Sequence, residues 1–417
     1  MKKAILLLAM IFSISGIVLL RNADADTVLI KQQVQMDELV QDTEELEKQE
    51  TESMDSAQTE IQMEGMTEQE SENDITIQAG MESASCITFL RLSLEEQNVY
   101  AEILASLLGL ENETTLSTKD TSLIDKAFRC VMLDHPEIFY VDGYKYTEYS
   151  NGDAVKKIVF AGNYIYDKEE ILIRREKIEE AAGEIIAQVP DTTDEYEKVK
   201  YVYETIVQNT EYDTASVDNQ NICSVFLYGR SVCQGYAKSI QYLLREMGLD
   251  CSLVIGTVRG GDGHAWNMVS VNDNWYYLDA TWGDAFYLFG EGEQAQKQKN
   301  ATVNYDYLCV TTQQLELTHT IDMPVALPTC SVLTDNYYVR EGLYFEQYDE
   351  VRIQELFAAA MAEEKETVTL KCADSSVYES VRTELLTNQK IFEFLQTEDG
   401  FIAYTDNKEQ CSITFWL

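Results

Sequence analysis

The chain has 417 residues, with 31 Lys and Arg against 73 Asp and Glu. A formal net charge of −42 leaves no basic patch to neutralise phosphates, which argues against a nucleic-acid partner. Nine cysteines without a Cys-x-x-Cys pair, and three scattered histidines, offer no zinc or redox spacing, so neither a metal nor a cofactor is expected.

Lys2 and Lys3 precede an apolar run from Ala4 to Leu20, and Ala23-Asp24-Ala25 follows as a small-x-small cleavage pattern. Residues 1–25 therefore read as a secretory signal peptide, with an N-terminal membrane anchor as the alternative, since the 17-residue run, interrupted only by serines and Gly16, reaches the lower edge of a span. Either way the bulk of the chain is expected outside the cytoplasm, extracellular or at the cell surface, with the membrane touched only through that anchor. Residues 26–82 hold 17 Asp or Glu, two Lys and no aromatic residue. Such a stretch buries too little apolar surface to offset the entropy of ordering it, so 26–84 is expected to be an acidic disordered spacer.

The remainder is long enough for two domains, 85–328 and 329–417, with a boundary between Pro324 and Pro328. Ser93 with Glu96 three residues on forms a capping box before a helix at Leu94–Leu108. A second helix at Ser122–Leu133 is broken at His135-Pro136. Tyr144–Phe160 alternates as two strands turning at Asn151-Gly152, and helices at about 167–187 and 194–210 follow. Past 329, Tyr337–Phe345 reads as strand, 350–365 as helix, Thr367–Cys372 as strand, 375–389 as helix, and Phe401–Tyr404 and Ser412–Trp416 as strands, a small α+β unit.

The chemistry gathers between Ser231 and Trp282. Cys233 opens a helix running to Met247 and stopped by Gly248. There its thiol meets unpaired backbone N–H groups, a setting that favours the thiolate and offers donors to an oxyanion. A strand at Cys251–Gly256 and the turn Gly260-Gly261-Asp262-Gly263 lead to His264-Ala265-Trp266-Asn267. A polar turn at Asn272-Asp273-Asn274, too short for a calcium loop, leads to Trp275-Tyr276-Tyr277-Leu278-Asp279. His264 and Asp279 thus fall on strands joined by one tight turn, within side-chain reach if the register allows. Thiol, imidazole and carboxylate in that order are the parts of a nucleophile, its base and the base's orienter. Trp266 and Trp282 flank these strands, as core rings or as walls of an acyl channel. His135 reads as a helix cap, and His319 as structural or as a support for the site. If Cys233 is the nucleophile, eight cysteines remain for disulfides or buried thiols, Cys372 and Cys411 among them on candidate neighbouring strands.

Val232-Cys233-Gln234-Gly235-Tyr236-Ala237, Leu243-Leu244-Arg245-Glu246-Met247-Gly248, Gly263-His264-Ala265-Trp266-Asn267 and Trp275–Trp282 together resemble the core of the transglutaminase-like superfamily. The likeness is specific over about 50 residues, with a looser core of 190–320; Ser231 stands where the family often has glycine. It implies an α+β, papain-like domain with an antiparallel sheet, catalytic Cys233, His264 and Asp279, no cofactor, and acyl transfer through a thioester. It also implies a protein or peptide substrate bearing glutamine or another amide, the cell wall being one source. Some members have lost activity, so a silent module binding cell-surface protein or peptidoglycan is the other reading.

Overall fold

The computed structural model describes residues 18–21, 30–31, 86–151, 154–190, 192–284, 303–395 and 401–417, and within them the chain is α+β. The described residues fall into two compact units, those within 40–281 and 318–329, and those within 1–39, 282–317 and 330–417. The expected acidic spacer lies outside the described residues apart from Ile30–Lys31, and the leader apart from Val18–Arg21.

In the first unit, helix α1 (Leu94–Gly109) starts at Ser93, whose hydroxyl accepts the Glu96 N–H while the Glu96 carboxylate accepts the Ser93 N–H. Helix α2 (Thr121–Asp134) is capped by Asp120 and gives way at His135 before Pro136. Their facing sides bury Val99, Ile103, Leu107, Ile124, Ala127 and Val131 in one cluster. Full burial of each larger aliphatic side chain contributes roughly 1.5–3 kcal/mol. Three strands, β1 (Thr114–Leu116), β2 (Val141–Asn151) and β3 (Ala154–Tyr164), form an antiparallel sheet in the order β1-β3-β2, with Ile158 and Phe160 in that cluster. Helices α3 (Lys168–Ile186) and α4 (Glu195–Asn209) begin at the caps Asp167 and Asp194.

Helix α5 (Ile222–Tyr228) ends at Gly229, whose φ of +63° suits glycine, and helix α6 (Cys233–Glu246) follows. Beside α6 lies an antiparallel sheet of β4 (Cys251–Val258), β5 (Gly263–Val271), β6 (Asn274–Leu278) and β7 (His319–Ile321), ordered β6-β5-β4-β7. The β5–β6 turn places Asn272 at φ 50° and Asp273 at φ 64°, the paired positive angles of a tight hairpin that Asn and Asp tolerate. Ala237 of α6 packs on Leu253 and Ala265 of the sheet. Gln241 and Arg245 donate to the carbonyls of Leu133 and Asp134 at the end of α2, and Arg245 also to that of Cys251 at 2.8 Å. The helix that carries Cys233 is thereby fixed against both α2 and the sheet.

In the second unit, Tyr344–Phe345, Thr367–Cys372, Ser412–Trp416 and Phe401–Asn407 form successive sheet strands, and Val18–Arg21 and Ile30–Lys31 continue that order. Helices Glu350–Ala362 and Ser375–Arg382 contribute Ile353, Phe357, Tyr378 and Val381 to its core. Two expected elements differ. Tyr337–Phe345 is a helical turn, Tyr337–Arg340, followed by only two strand residues, because Asn336 caps the turn and the Tyr338 hydroxyl, turned inward, binds Asp306 at 3.0 Å. The helix at 375–389 stays α-helical to Arg382 and widens into a π-turn at Thr383–Thr387. Cys372 and Cys411 are thiols; the Cys372 N–H donates to the carbonyl of Cys411, in the turn before Ser412, at 2.8 Å. Among the described residues no helix is long and apolar enough to cross a membrane.

Candidate active site

Cys233 is the first residue of α6, half-buried, and its N-cap is Val232, which has no side-chain acceptor for the first-turn amides. The approach to it is tied down by hydroxyls. Ser231 Oγ lies 2.6 Å from Ser224 Oγ and donates to the Asn219 carbonyl at 3.0 Å. That gives a role to the serine where the related pattern often has glycine. Gly235, one turn in, has no room for a side chain: a Cβ there would stand 1.9 Å from Ser231 Oγ and 2.7 Å from Ser224 Oγ.

His264 is the second residue of β5, and Asp279 follows directly on β6, whose Leu278 pairs with Asn267. The hairpin register therefore brings the two side chains together: His264 Nε2 lies 2.7 Å from Asp279 Oδ2. The Cys233 side chain faces the same ring closely enough to raise its pKa. With Nε2 engaged by the carboxylate, Nδ1 is the nitrogen left for the thiol. All three residues singled out in the sequence thus meet, drawn from the helix start, the next strand and the hairpin's return.

A fourth residue joins them. His319, on the edge strand β7, places Nε2 3.1 Å from the same Asp279 Oδ2, and its Nδ1 lies 2.8 Å from Thr318 Oγ1. The other oxygen, Asp279 Oδ1, accepts the Thr281 N–H at 2.9 Å. An ionised carboxylate only accepts, which assigns a proton to each facing Nε2. Burial alone would push the Asp279 carboxyl up; the facing histidines, His264 foremost, hold it below the usual carboxylate range instead. Burial works against the charged form of His264, but the Asp279 carboxylate, Cys233 and its hydrogen bonds push the imidazole up to about 10. His264, Asp279 and His319 also present ligand atoms within 4.8 Å of one another, close enough for a metal ion, where sequence spacing offered no such site. Those atoms are already engaged by the two N–H···O contacts.

Trp266 is fully buried, its ring edge-on to His319 at 4.9 Å between centroids and 6.0 Å from His264. Trp282 is also buried and stacks edge-on with Tyr307 at 5.1 Å. The ring of His135 lies 2.6 Å from Glu137, at the C-cap of α2. The sequence left His319 without a definite partner, since its contact with Asp279 spans 40 positions and depends on the pairing of a three-residue edge strand.

Residues 183–280 match the family model of the transglutaminase-like superfamily. The human kyphoscoliosis peptidase is 27% identical over 103 residues, which are 21% of this chain and 16% of that protein. A solved structure described as a TGase is 16% identical, covering 39% of this chain and 50% of its own, at a TM-score of 0.26. The periplasmic domain of TgpA from Pseudomonas aeruginosa is 13% identical, covering 36% of this chain and 69% of its own, at a TM-score of 0.18. The stretch that matches the transglutaminase-like superfamily model, residues 183–280, contains Cys233, His264 and Asp279.

Proposed function

We propose that this chain is an exported cysteine enzyme that transfers acyl groups from protein or peptide amides through a thioester on Cys233. The observation that carries the reading is the His264–Asp279 hydrogen bond beside Cys233, which sits at a helix start with no side-chain cap. In this reading His264 takes the proton of the Cys233 thiol and frees the sulfur to attack. The sulfur attacks the carboxamide carbon, forming the C–S bond, and the amides of the first turn of α6 hold the developing oxyanion. His264 passes its proton to the departing nitrogen, and the C–N bond breaks to leave a thioester. His264, now neutral, takes a proton from the acceptor as it attacks, and the thiolate leaves. A lysine amine gives a cross-link; water gives deamidation of a glutamine or cleavage of a peptide bond. The relative named a peptidase favours water as acceptor.

The test follows both outcomes on one unstructured protein substrate: incorporation of a fluorescent primary amine, and release of ammonia or new amino termini. The proposal expects one of these from the intact chain and none from Cys233→Ala. Equal turnover by Cys233→Ala, or binding to cell-surface protein or peptidoglycan with no turnover, contradicts it and leaves a silent binding module.

A further inference from the structure

His319 lies outside the stretch matched to the superfamily, yet its side chain is fully buried against the carboxylate that His264 uses. Its position is prepared in the backbone. Strand β7 pairs with the edge of β4, His319 opposite Val258 and Ile321 opposite Gly256, while Gly256 faces His264 on its other side. A Cβ on Gly256 would stand 2.0 Å from the Thr320 carbonyl oxygen and 2.8 Å from Trp266 Cη2. Glycine there lets β7 dock closely enough for His319 to reach Asp279, and lets Trp266 lie across the gap. Thr318 Oγ1, 2.8 Å from Nδ1, fixes the ring's other nitrogen, and Trp266 meets its flank. What remains of the imidazole is one N–H, aimed at Asp279 Oδ2 at 3.1 Å.

We infer that His319 is a positioning residue for the Cys233–His264–Asp279 series, extending it to four members by donating a second N–H to Asp279 Oδ2. The inference rests on the reading of Cys233 as nucleophile. The carboxylate is then held by His264 from β5, His319 from β7 and the Thr281 N–H after it, while the Tyr203 hydroxyl of α4 binds the Asp279 carbonyl oxygen at 3.1 Å. Three donors fix the plane of the carboxylate, so His264 cannot turn from Cys233 without losing its partner. Removing the His319 N–H frees the carboxylate to rotate and to protonate at higher pH, which withdraws its support from the His264 imidazolium sooner as pH falls.

The experiment measures alkylation of Cys233 by iodoacetamide against pH, and kcat on an amide substrate, for the full chain and its His319→Leu and His319→Gln variants. Melting temperatures are recorded beside them. His319→Leu should move the acid limb of the profile up by about one pH unit. It should lower kcat roughly tenfold, at or below the about 10²- to 10⁴-fold of an acid–base group itself. His319→Gln, whose amide N–H reaches the same oxygen, should restore most of both. A folded His319→Leu with the parent profile and kcat overturns the inference. So does equal loss in both variants with the acid limb unmoved, which would mark His319 as core filling alone. If the parent Cys233 alkylates no faster than free cysteine, it is the nucleophile reading that fails.

Discussion

Burial sorts the cysteines at the residue scale. Desolvation pushes the thiols of Cys86, Cys130, Cys223, Cys251 and Cys372 up to about 12, so they stay protonated and unreactive at neutral pH. Cys233 is half-buried and beside an imidazole. Limited treatment with iodoacetamide at pH 7 should label Cys233 ahead of those five, as read by peptide mass spectrometry. The His264–Asp279 pair makes a separate prediction with a definite sign. His264 is raised from an ordinary 6.5 to about 10, so its contribution to stability is complete below about 6.5 and is lost as pH rises through about 10. Asp279 is depressed, so its contribution is present above its ordinary 3.8 and is lost as pH falls below that. The pair therefore stabilises most between these limits. Asp279→Asn should lower the melting temperature most near pH 5–6, with the difference from the parent shrinking by pH 10. It should also slow turnover less than Cys233→Ala does, because the amide keeps the shape while losing the charge and one of the two acceptor oxygens. A difference that grows from pH 6 to pH 10 would contradict the assigned charges.

Tight approaches govern the scale of single elements. Gly235→Ala forces a methyl group into the space of Ser231 Oγ and Ser224 Oγ, with the Asn219 carbonyl 2.9 Å away. Overpacking of this kind costs roughly 1–3 kcal/mol and would displace the start of α6 that carries Cys233. Adding Ser231→Gly removes the nearest of the three atoms and should return part of the loss, which denaturant melts of the single and double variants would measure. Several elements were legible because their signals are local. The Ser93–Glu96 box and the Asn272-Asp273 turn are each set by residues a few positions apart. So were Cys233, His264 and Asp279, since a helix start and one hairpin bring them near each other. Tyr337–Phe345 was misread because its aromatic alternation mimics a strand, while the Asn336 cap and the Tyr338–Asp306 bond decide for a turn. The place of His319 was not legible, because it depends on an edge pairing that only Gly256 permits.

On the scale of the whole molecule, the residues that hold the site belong to one unit although they come from two stretches of sequence, 40–281 and 318–329. The segment 282–317 and the C-terminal strands group separately, around a buried Lys371 that bonds Asp306 at 3.5 Å and Gln410 at 3.1 Å. The acidic stretch 26–82 has a composition that buries little. Deleting it should leave the melting temperature within a few degrees of the full chain and the alkylation rate of Cys233 unchanged; a fall of many degrees would show that it packs.

The account as a whole turns on whether the Cys233 sulfur forms a covalent acyl intermediate with His264 as its base. Intact-mass and peptide mass spectrometry of the full chain, quenched in acid within seconds of mixing with an activated acyl-amide probe, reads this directly. One acyl adduct mapped to Cys233, formed far more slowly in His264→Ala and absent in Cys233→Ala, is the predicted result. An adduct on other residues only, or equal rates of acylation with and without His264, would contradict it.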